Sequence, residues 1–263
     1  MGIIISKNKK RECLSFIKSN FNKISQRQMA KILGLGKTSV NRWSKELDLK
    51  FKKHTVNEKF FDKWSEKSAY ILGLIFSDGN INYNTKKGYC AITITAAEKD
   101  KEHLERIRKL LSSTKPLLFS SKTKSYRLII NSKYMCLNLL KLGLTPKKSL
   151  TLDFPTIPKS FLKDFVRGVI DGDGNVRYLS RKRSPYFEIT VASGSKKFCE
   201  GFVKVVKDAI GVDANIRKAK TNTFIIQYSC SRGEKLAKYI YSNATIFLKR
   251  KYLPYKENVL GGK

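Results

Sequence analysis

The sequence predicts an α+β fold in which a small all-helical unit is followed by two copies of one αββαββα unit. An apolar helical segment ending in Asp-Gly-Asn appears twice, and the same order of elements follows each copy. The first third of the chain instead carries helical periodicity without strand patterns. Lys and Arg number 54 against 21 Asp and Glu, a formal net charge of +33. Since no low-complexity tail carries this excess, folded surface must carry it, and nucleic acid is the predicted partner class.

The N-terminal segment has the pattern of a helix-turn-helix. Ser25 is the predicted N-cap of a first short helix, Gly34 and Gly36 mark a turn, and helical spacing then resumes with Trp43 facing the core. An amphipathic segment, Lys9 to Phe21, predicts a supporting helix. The outer face of the second helix carries donors suited to phosphates and base edges: Lys37, Thr38, Ser39, Asn41, Arg42 and Lys45. A helical hairpin that only packs on a neighbour is the competing interpretation.

The domain boundaries follow from the repeats and from a charged stretch after Asp48 that has little apolar periodicity and predicts a tether. The predicted domains are a helix-turn-helix DNA-binding domain at 1–50, a linker at 51–60, a first repeat at 61–150 and a second repeat at 151–263. Each repeat is predicted to contain, after its Asp-Gly-Asn, a polar connector, an alternating strand, a charged amphipathic helix, two further strands and a last helix.

The two helices that end in Asp-Gly resemble the motifs of the LAGLIDADG homing endonucleases. The matching segments are ILGLIFSDG at Ile71–Gly79 and VRGVIDGDG at Val166–Gly174. A single nonamer of this kind is a weak signal, but two copies, 95 residues apart and followed by the same elements, are a strong one. The resemblance covers about Asn57 to Tyr252 and implies a duplicated LAGLIDADG core with pseudo-two-fold symmetry.

Asp78 and Asp173 end the two motif helices, and each precedes a glycine suited to a left-handed terminating turn. Gly73 and Gly168 lie within these helices, where glycine costs about 1 kcal/mol relative to alanine, so we expect the two backbones to approach closely. Two carboxylates at the carbonyl ends of paired helices are costly without cations. Hard carboxylate oxygens are the ligands that Mg²⁺ prefers. The alternative is that each aspartate only caps its own turn.

The resemblance implies that both aspartates are catalytic ligands of Mg²⁺ or Mn²⁺, and it leaves open any contribution of the backbone at Ser77. Two departures stand out: the first acidic position of the motif is Asp171 in the second copy but Phe76 in the first, and its small second residue is Arg167 in the second copy and Leu72 in the first. The departures spare the metal ligands and put a catalytic role for Asp171 in doubt.

A basic residue from each repeat is also implied by the resemblance at the edge of the site. The corresponding segments predict Lys148 and Lys251 as catalytic residues, with Lys147 and Lys249 as the next candidates. A lysine there would polarise the attacking water or stabilise the charge that develops on phosphorus. Simple contact with phosphate or solvent is the alternative for each.

The alternating strands of both repeats predict two sheets whose polar faces lie on a DNA duplex. The candidate contacts are Thr93, Thr95, Lys124, Arg127, Glu188, Thr190, Arg217, Lys218 and Gln227.

The function that the resemblance implies is site-specific cleavage of double-stranded DNA at a long recognition site, as in intron homing. A non-cleaving RNA maturase, with its host intron RNA as partner, or a DNA-binding transcription regulator is the alternative, because one fold can serve several functions. The retained aspartates favour the nuclease, since a regulator is free to lose them. Both motifs lie in one chain, so we expect a monomer.

Five scattered cysteines without a CxxC pair predict buried reduced thiols rather than a disulfide framework or a zinc site. No apolar run reaches the length of a membrane-spanning helix, and the N-terminus does not resemble a signal peptide. We therefore expect a protein of the cytoplasm, nucleoid or organelle matrix, with no membrane partner and not secreted.

Overall fold

A computed structural model of the chain describes residues 6–49, 54–84, 89–146, 151–179, 185–219 and 222–261. The chain divides into two units, residues 1–54 and 55–263. The second unit includes part of the predicted linker, because the Thr55 amide donates to Thr114 Oγ1 at 2.9 Å and the Asn57 amide to the Leu111 carbonyl at 2.9 Å. The chain from Thr55 onward is therefore packed rather than a tether.

The described part of the first unit contains three helices. Their bounds are α1 (Lys7–Ser19), α2 (Gln26–Ile32) and α3 (Lys37–Glu46). Ser25 caps α2 in a capping box with Gln28, which satisfies backbone donors at the helix start. Gly34 takes the left-handed φ of 63° in the turn before α3, a conformation that a side chain would disfavour. Met29 and Trp43 lie in the small core, as the helical spacing predicts.

The second unit holds two copies of one arrangement of helices and strands. In the first repeat these are α4 (Glu66–Asp78), β1 (Gly79–Asn84), β2 (Tyr89–Ala97), α5 (Lys101–Leu110), β3 (Leu118–Ser120), β4 (Ser125–Ile130) and α6 (Lys133–Lys141). In the second repeat they are α7 (Leu162–Asp173), β5 (Gly174–Leu179), β6 (Tyr186–Ser193), α8 (Lys196–Ile210), β7 (Asn215–Lys218), β8 (Phe224–Ser229) and α9 (Ser231–Tyr241). Helix α10 (Lys249–Tyr255) follows, and short 3₁₀ turns at Glu98–Asp100 and Lys159–Phe161 precede α5 and α7.

Each repeat builds an antiparallel sheet of four strands, in the orders β1-β2-β4-β3 and β5-β6-β8-β7. Strands β1 and β5, one edge of each sheet, begin at the glycine that follows the motif aspartate: Gly79 pairs with Ile94, and Gly174 pairs with Val191. The segments that the sequence shows as polar connectors are thus strands β1 and β5. The predicted α+β architecture with a duplicated αββαββα core is confirmed.

Helices α4 and α7 pack against each other through their backbones. A Cβ atom on Gly73 would overlap the Phe165 carbonyl oxygen and lie 3.0 Å from the Val169 nitrogen. A Cβ atom on Gly168 would overlap the Tyr70 carbonyl oxygen and lie 2.9 Å from the Leu74 nitrogen. The two contacts are equivalent, because 95 residues separate Gly73 from Gly168, Tyr70 from Phe165 and Leu74 from Val169. The helix pair therefore has the reciprocal geometry of a pseudo-two-fold axis. The predicted reason for the mid-helix glycines is confirmed.

Arg167, the unusual second residue of the second motif, is fully buried and ties distant segments together. Its guanidinium donates to the carbonyls of Ile246 at 2.8 Å and Ile240 at 2.6 Å, and it forms ion pairs of 2.9 Å with Glu66 and Asp164. A buried charge with this many partners is compensated. Arg167 therefore anchors the segment between α9 and α10 to the central helix pair.

The prediction that all cysteines are reduced is wrong for two of them. Cys90 at the start of β2 and Cys136 in α6 form a disulfide, with Cα atoms 6.4 Å apart. They are 46 residues apart in sequence, and only the packing of α6 on β2 brings them together. Cys13 and Cys199 are buried thiols, and Cys230 is an exposed one. Among the described residues, no helix combines the length and hydropathy needed to cross a membrane.

Candidate active site at the ends of the motif helices

Asp78 and Asp173 are the last residues of α4 and α7, and both are exposed. The glycines that follow were predicted to be left-handed, and this is wrong. Both are extended, with φ of −85° at Gly79 and −91° at Gly174. Glycine is needed there for space. A Cβ atom on Gly79 would lie 2.6 Å from the Ile75 Cα, and one on Gly174 would lie 2.8 Å from the Ile170 Cα. The chain folds tightly over the last helical turn and enters β1 or β5 directly.

The ends of the two motif helices touch each other. A Cβ atom on Gly172 would overlap Ser77 Oγ and lie 3.4 Å from Asp78 Oδ2, so the first carboxylate sits against the last turn of the other helix. The Ser77 hydroxyl itself donates to the carbonyls of Gly73 and Leu74, each at 3.1 Å. This contact and the reciprocal glycine packing place Asp78 and Asp173 at the same end of the helix pair.

Lys251 of α10 lies beneath this end and is only 3% exposed. Its ammonium donates to the carbonyls of Ile170, Asp171 and Gly172 at 2.9, 2.6 and 2.9 Å, which are among the last carbonyls of α7. Burial lowers the pKa of Lys251 to about 8, while Asp171, Asp78 and Asp173 act in the opposite direction. The predicted catalytic lysine thus uses three N–H donors to hold the end of α7, close to both candidate ligands.

Asp171 is a buried structural group rather than a residue that opens toward solvent. It accepts hydrogen bonds from the Tyr70 hydroxyl and the Leu248 amide, both at 2.7 Å. The Tyr70 oxygen also lies 2.9 Å from His103 Nε2. Since the tyrosine hydroxyl donates to Asp171, His103 Nε2–H is the donor to Tyr70. Burial raises the pKa of Asp171 to about 6 and lowers that of His103 to about 4.

The two aspartates border cavities of similar size. The cavity beside Asp78 measures about 320 Å³, and its lining includes Asp171, His103, Asp100 and Arg250. The cavity beside Asp173 measures about 310 Å³, and its lining includes Phe76, Leu152, Ser193 and Thr223. The first acidic motif position contributes to both linings, as Asp171 in the first cavity and as Phe76 in the second.

The donor chemistry of the helix ends fits a hard divalent cation. Two exposed carboxylates from different repeats supply anionic oxygen ligands, which Mg²⁺ takes together with water and substrate phosphate oxygens. Within the described ranges no group of three or more His, Cys, Asp or Glu side chains could hold a metal. Water and substrate phosphate oxygens are the further ligands that such a cation ordinarily takes.

The remaining lysine predictions have different outcomes. Lys148 and Lys147 lie outside the described residues. Lys249 is 84% exposed at the start of α10, 3.9 Å from a Glu102 carboxylate oxygen.

The predicted DNA contacts of the sheets fall mostly on the faces turned away from the core. Thr93 and Thr95 alternate with the buried residues Ile92 and Ile94 on β2, and Arg127 pairs with Thr95 across the ladder. The second sheet repeats this arrangement: its outward-facing candidates are Glu188, Thr190, Arg217 and Gln227. Glu188 differs from the others because it is only 2% exposed. Lys124 is exposed in the β3–β4 turn and Lys218 is exposed at the end of β7.

Several residues of these faces were not predicted because β1 and β5 were interpreted from the sequence as connectors. Asn80 and Asn82 on β1 are exposed, and so are Asn175 and Arg177 at the equivalent positions of β5. Polar residues at alternate positions after each Asp-Gly were the available signal, although asparagine is rare in strands. These strands leave the motif helices directly, so their outer faces continue from the aspartates.

In the first unit, the outer face of α3 carries the predicted donors. Lys37, Thr38, Asn41, Arg42 and Lys45 are exposed and Ser39 is half-buried, while Val40 and Trp43 point into the core. The amide of Gln26 lies 3.5 Å from Asn41 Oδ1 at the contact of α2 with α3.

Known proteins share this architecture. The family model for the LAGLIDADG-like domain matches residues 65–143 and again 160–242. Among curated proteins, the uncharacterized protein MJ0398 of Methanocaldococcus jannaschii is 25% identical over 182 residues, which cover 65% of this chain and 64% of that protein. The match therefore spans a little under two thirds of this relative.

Solved structures of LAGLIDADG proteins have the same fold as this chain. The structure of I-DmoI in complex with DNA and Ca superposes with a TM-score of 0.53 at 16% identity, over 73% of this chain and 97% of that one. The I-LtrWI LAGLIDADG homing endonuclease bound to target DNA gives a TM-score of 0.50 at 14% identity, over 74% of this chain and 89% of that one. With the family model matching in both repeats, the chain belongs to the LAGLIDADG-like domain family.

Proposed function

We propose that this protein is a site-specific endonuclease that hydrolyses both strands of a DNA duplex at a long recognition site. The observation that carries the proposal is the placement of Asp78 and Asp173. One carboxylate from each repeat stands at the shared end of the packed helix pair, where the outer faces of both sheets begin. A pseudo-symmetric site of this kind suits the two antiparallel strands of a duplex.

The two aspartates would hold divalent Mg²⁺ or Mn²⁺. Bound metal supplies charge neutralisation on the phosphate oxygens and activation of a water molecule. The protein holds the carboxylates in position, because the backbone contact at Gly73 and Gly168 leaves α4 and α7 little freedom to separate. In this proposal the DNA cleavage serves intron homing, and the protein acts as a monomer.

Lys251 is in this view a positioning residue. Its ammonium neutralises the carbonyl end of α7, which carries the partial negative charge of the helix dipole next to Asp173. Without it, a carboxylate at that end would face an uncompensated dipole. Lys148 keeps the predicted role of polarising the attacking water.

The net charge of +33 and the polar sheet faces support DNA as the partner. Solved members of the fold are bound to their target DNA. The first unit would add contacts through the exposed donors of α3, as a helix-turn-helix does in a major groove. Deleting residues 1–53 is then expected to weaken binding and shorten the footprint without moving the cleavage position.

The test is cleavage of a randomised DNA library by the full chain with Mg²⁺, followed by assays on the selected site. Asp78→Asn and Asp173→Asn are each expected to bind the selected site with near wild-type affinity and to cut it at least 100-fold more slowly, since removal of one key electrostatic group typically costs about 10²–10³ in rate.

Asp213→Asn is the matched control. It removes the same charge from an exposed position in the loop before β7, where the carboxylate pairs with Lys207. This variant is expected to cut like the wild type. Cleavage by either motif variant at the wild-type rate would refute the metal-ligand assignment.

A further inference from the structure

Glu188 is an acidic residue in an unexpected place. Its neighbours Phe187 and Ile189 point into the core, so Glu188 belongs to the outer face of the second sheet. This face is the proposed DNA surface of a protein with a net charge of +33, where a bare carboxylate would repel phosphate. The side chain is only 2% exposed, because neighbouring polar side chains cover it.

Two neighbouring strands supply the partners of the Glu188 carboxylate. From β5, Arg177 donates through Nε at 2.8 Å and through Nη2 at 2.5 Å, both to Oε1. From β8, Gln227 Nε2 donates to Oε2 at 2.5 Å, and the Ser229 hydroxyl donates to the same oxygen at 3.3 Å. Arg177 remains half exposed. The acid therefore holds one cationic and one amide side chain at the surface.

The hydrogen bonds to Glu188 decide which groups are left to meet a ligand. A carboxylate only accepts, so the amide nitrogen of Gln227 must face it and the Oε1 acceptor faces away. Arg177 uses Nε and one N–H of Nη2, which leaves Nη1 and the second N–H of Nη2 at the tip. Two parallel donors at the tip of arginine match the O6 and N7 acceptors of guanine in the major groove.

The described residues at the equivalent positions of the first repeat do not form this cluster. By strand register, Asn82 stands at the position of Arg177, Ala91 at that of Glu188 and Ile129 at that of Gln227. None of these three residues could form the same set of ion pair and hydrogen bonds. The two halves of a target site would therefore be read by different chemistry.

We propose that Glu188 is a positioning residue that fixes the base preference of the second sheet: it presents Arg177 to a guanine and the Gln227 carbonyl oxygen to the amino group of an adjacent adenine or cytosine. The inference rests on the DNA-binding part of the proposed function and not on cleavage. Arg177 reads a base edge rather than a phosphate, because the adjoining carboxylate cancels its charge and repels a phosphate group.

The test selects DNA from a randomised library with the full chain in EDTA, so that binding is measured without cutting. The wild type is expected to enrich a guanine beside an adenine or cytosine in one half-site. Arg177→Ala and the charge-retaining Arg177→Lys should each reduce the preference for that guanine by about 5- to 150-fold, the range for one bidentate base contact. Asn82→Ala, the matched variant in the first sheet, should leave this guanine preference unchanged.

Glu188→Gln distinguishes positioning from support of the fold. The new amide nitrogen would face Gln227, whose own amide must then turn its carbonyl oxygen inward and its NH₂ toward the DNA. The adjacent position should change its preference from adenine or cytosine to guanine or thymine, which offer acceptors in the major groove. A variant that only weakened the fold would bind all sequences less well and change no preference, and thermal melting of each variant separates the two effects.

The inference is overturned if Arg177→Ala and Arg177→Lys both leave the base preference of the wild type unchanged, or if Glu188→Gln shifts no position. Selection of a sequence that the wild type then fails to cut with Mg²⁺ would overturn the endonuclease proposal alone. If the wild type selects no sequence, both the inference and the DNA-binding part of the proposed function fail.

Discussion

Gly168→Ala is expected to force α4 and α7 apart and so to test the foundation of the site. The added methyl group would overlap the Tyr70 carbonyl oxygen and lie 2.9 Å from the Leu74 nitrogen. Both are backbone atoms of a helix, so neither can rotate away as a side chain would. Relief requires the helix axes to separate, and every contact along the helix pair is loosened.

The magnitude follows from two opposing effects. Overpacking a tight interface costs about 1–3 kcal/mol, and the rigid backbone partners place this site at the upper end of that range. Alanine also favours the helix by about 1 kcal/mol relative to glycine. The net loss is therefore about 2 kcal/mol, which lowers the melting temperature of a unit of this size by about 4–8 °C.

Differential scanning calorimetry and a cleavage assay on the selected site measure the two consequences. Gly36→Ala is the control for exchanging glycine with alanine, because nothing lies within 4 Å of a Cβ atom there and the residue belongs to the first unit. The Gly168 variant should melt earlier and cut more slowly, since Asp78 and Asp173 move apart. If it melts within about 1 °C of the wild type and cuts at the same rate, the close-packed interface is not what positions the aspartates.

Three further outcomes are expected from groups outside the helix crossing. Arg167→Met should destabilise the second unit by about 3–5 kcal/mol in urea denaturation, because it removes the ion-pair partner of the buried Asp164 and the donor to two carbonyls. Unchanged stability would contradict the anchoring role. Burial lowers the pKa of His103 from 6.5 to about 4, so the unfolded chain binds a proton that the folded chain does not and stability falls as the pH drops through this window. His103→Gln should remove up to about 3 kcal/mol of that pH dependence, and identical pH profiles would be evidence against it. Under denaturing, non-reducing conditions three thiols should titrate, and five should titrate after reduction. Because the two cysteines are 46 residues apart, reduction should lower the free energy of unfolding by up to about 4 kcal/mol. Titration of five thiols without reductant would exclude the disulfide.

The repeat made the central part of the site predictable from the sequence. Asp78 and Asp173 can be compared position by position, and a mid-helix glycine in both copies has a physical cost that only close packing explains. The same reasoning failed for Gly79 and Gly174, because a glycine after a helix usually signals a left-handed turn and here it instead makes room for a chain that folds over the helix end.

Long-range contacts account for most of what the sequence did not reveal. Nothing local indicates that Lys251 donates to carbonyls some 80 residues earlier, or that Cys90 meets Cys136. Glu188 was predicted as a DNA contact, but its burial was not foreseen, because an alternating strand predicts which face a residue occupies but not what covers it. Side-chain partners on neighbouring strands decide that, and they depend on register.

The two repeats differ where the geometry allows it and agree where it does not. The glycine contact is reciprocal, so a larger residue in either copy disturbs both helices, and the aspartates need each other to form a site. The first acidic motif position takes no part in this reciprocal glycine contact, and there one copy has Asp171, bonded to Tyr70 and Leu248, while the other has Phe76. The residue at this position therefore differs between the cavity beside Asp78 and the cavity beside Asp173. In the proposed function each sheet contacts its own half-site, so the outer faces of the two sheets are free to differ as well. A duplicated protein of this kind can therefore keep one symmetric pair of carboxylates while it recognises an asymmetric sequence.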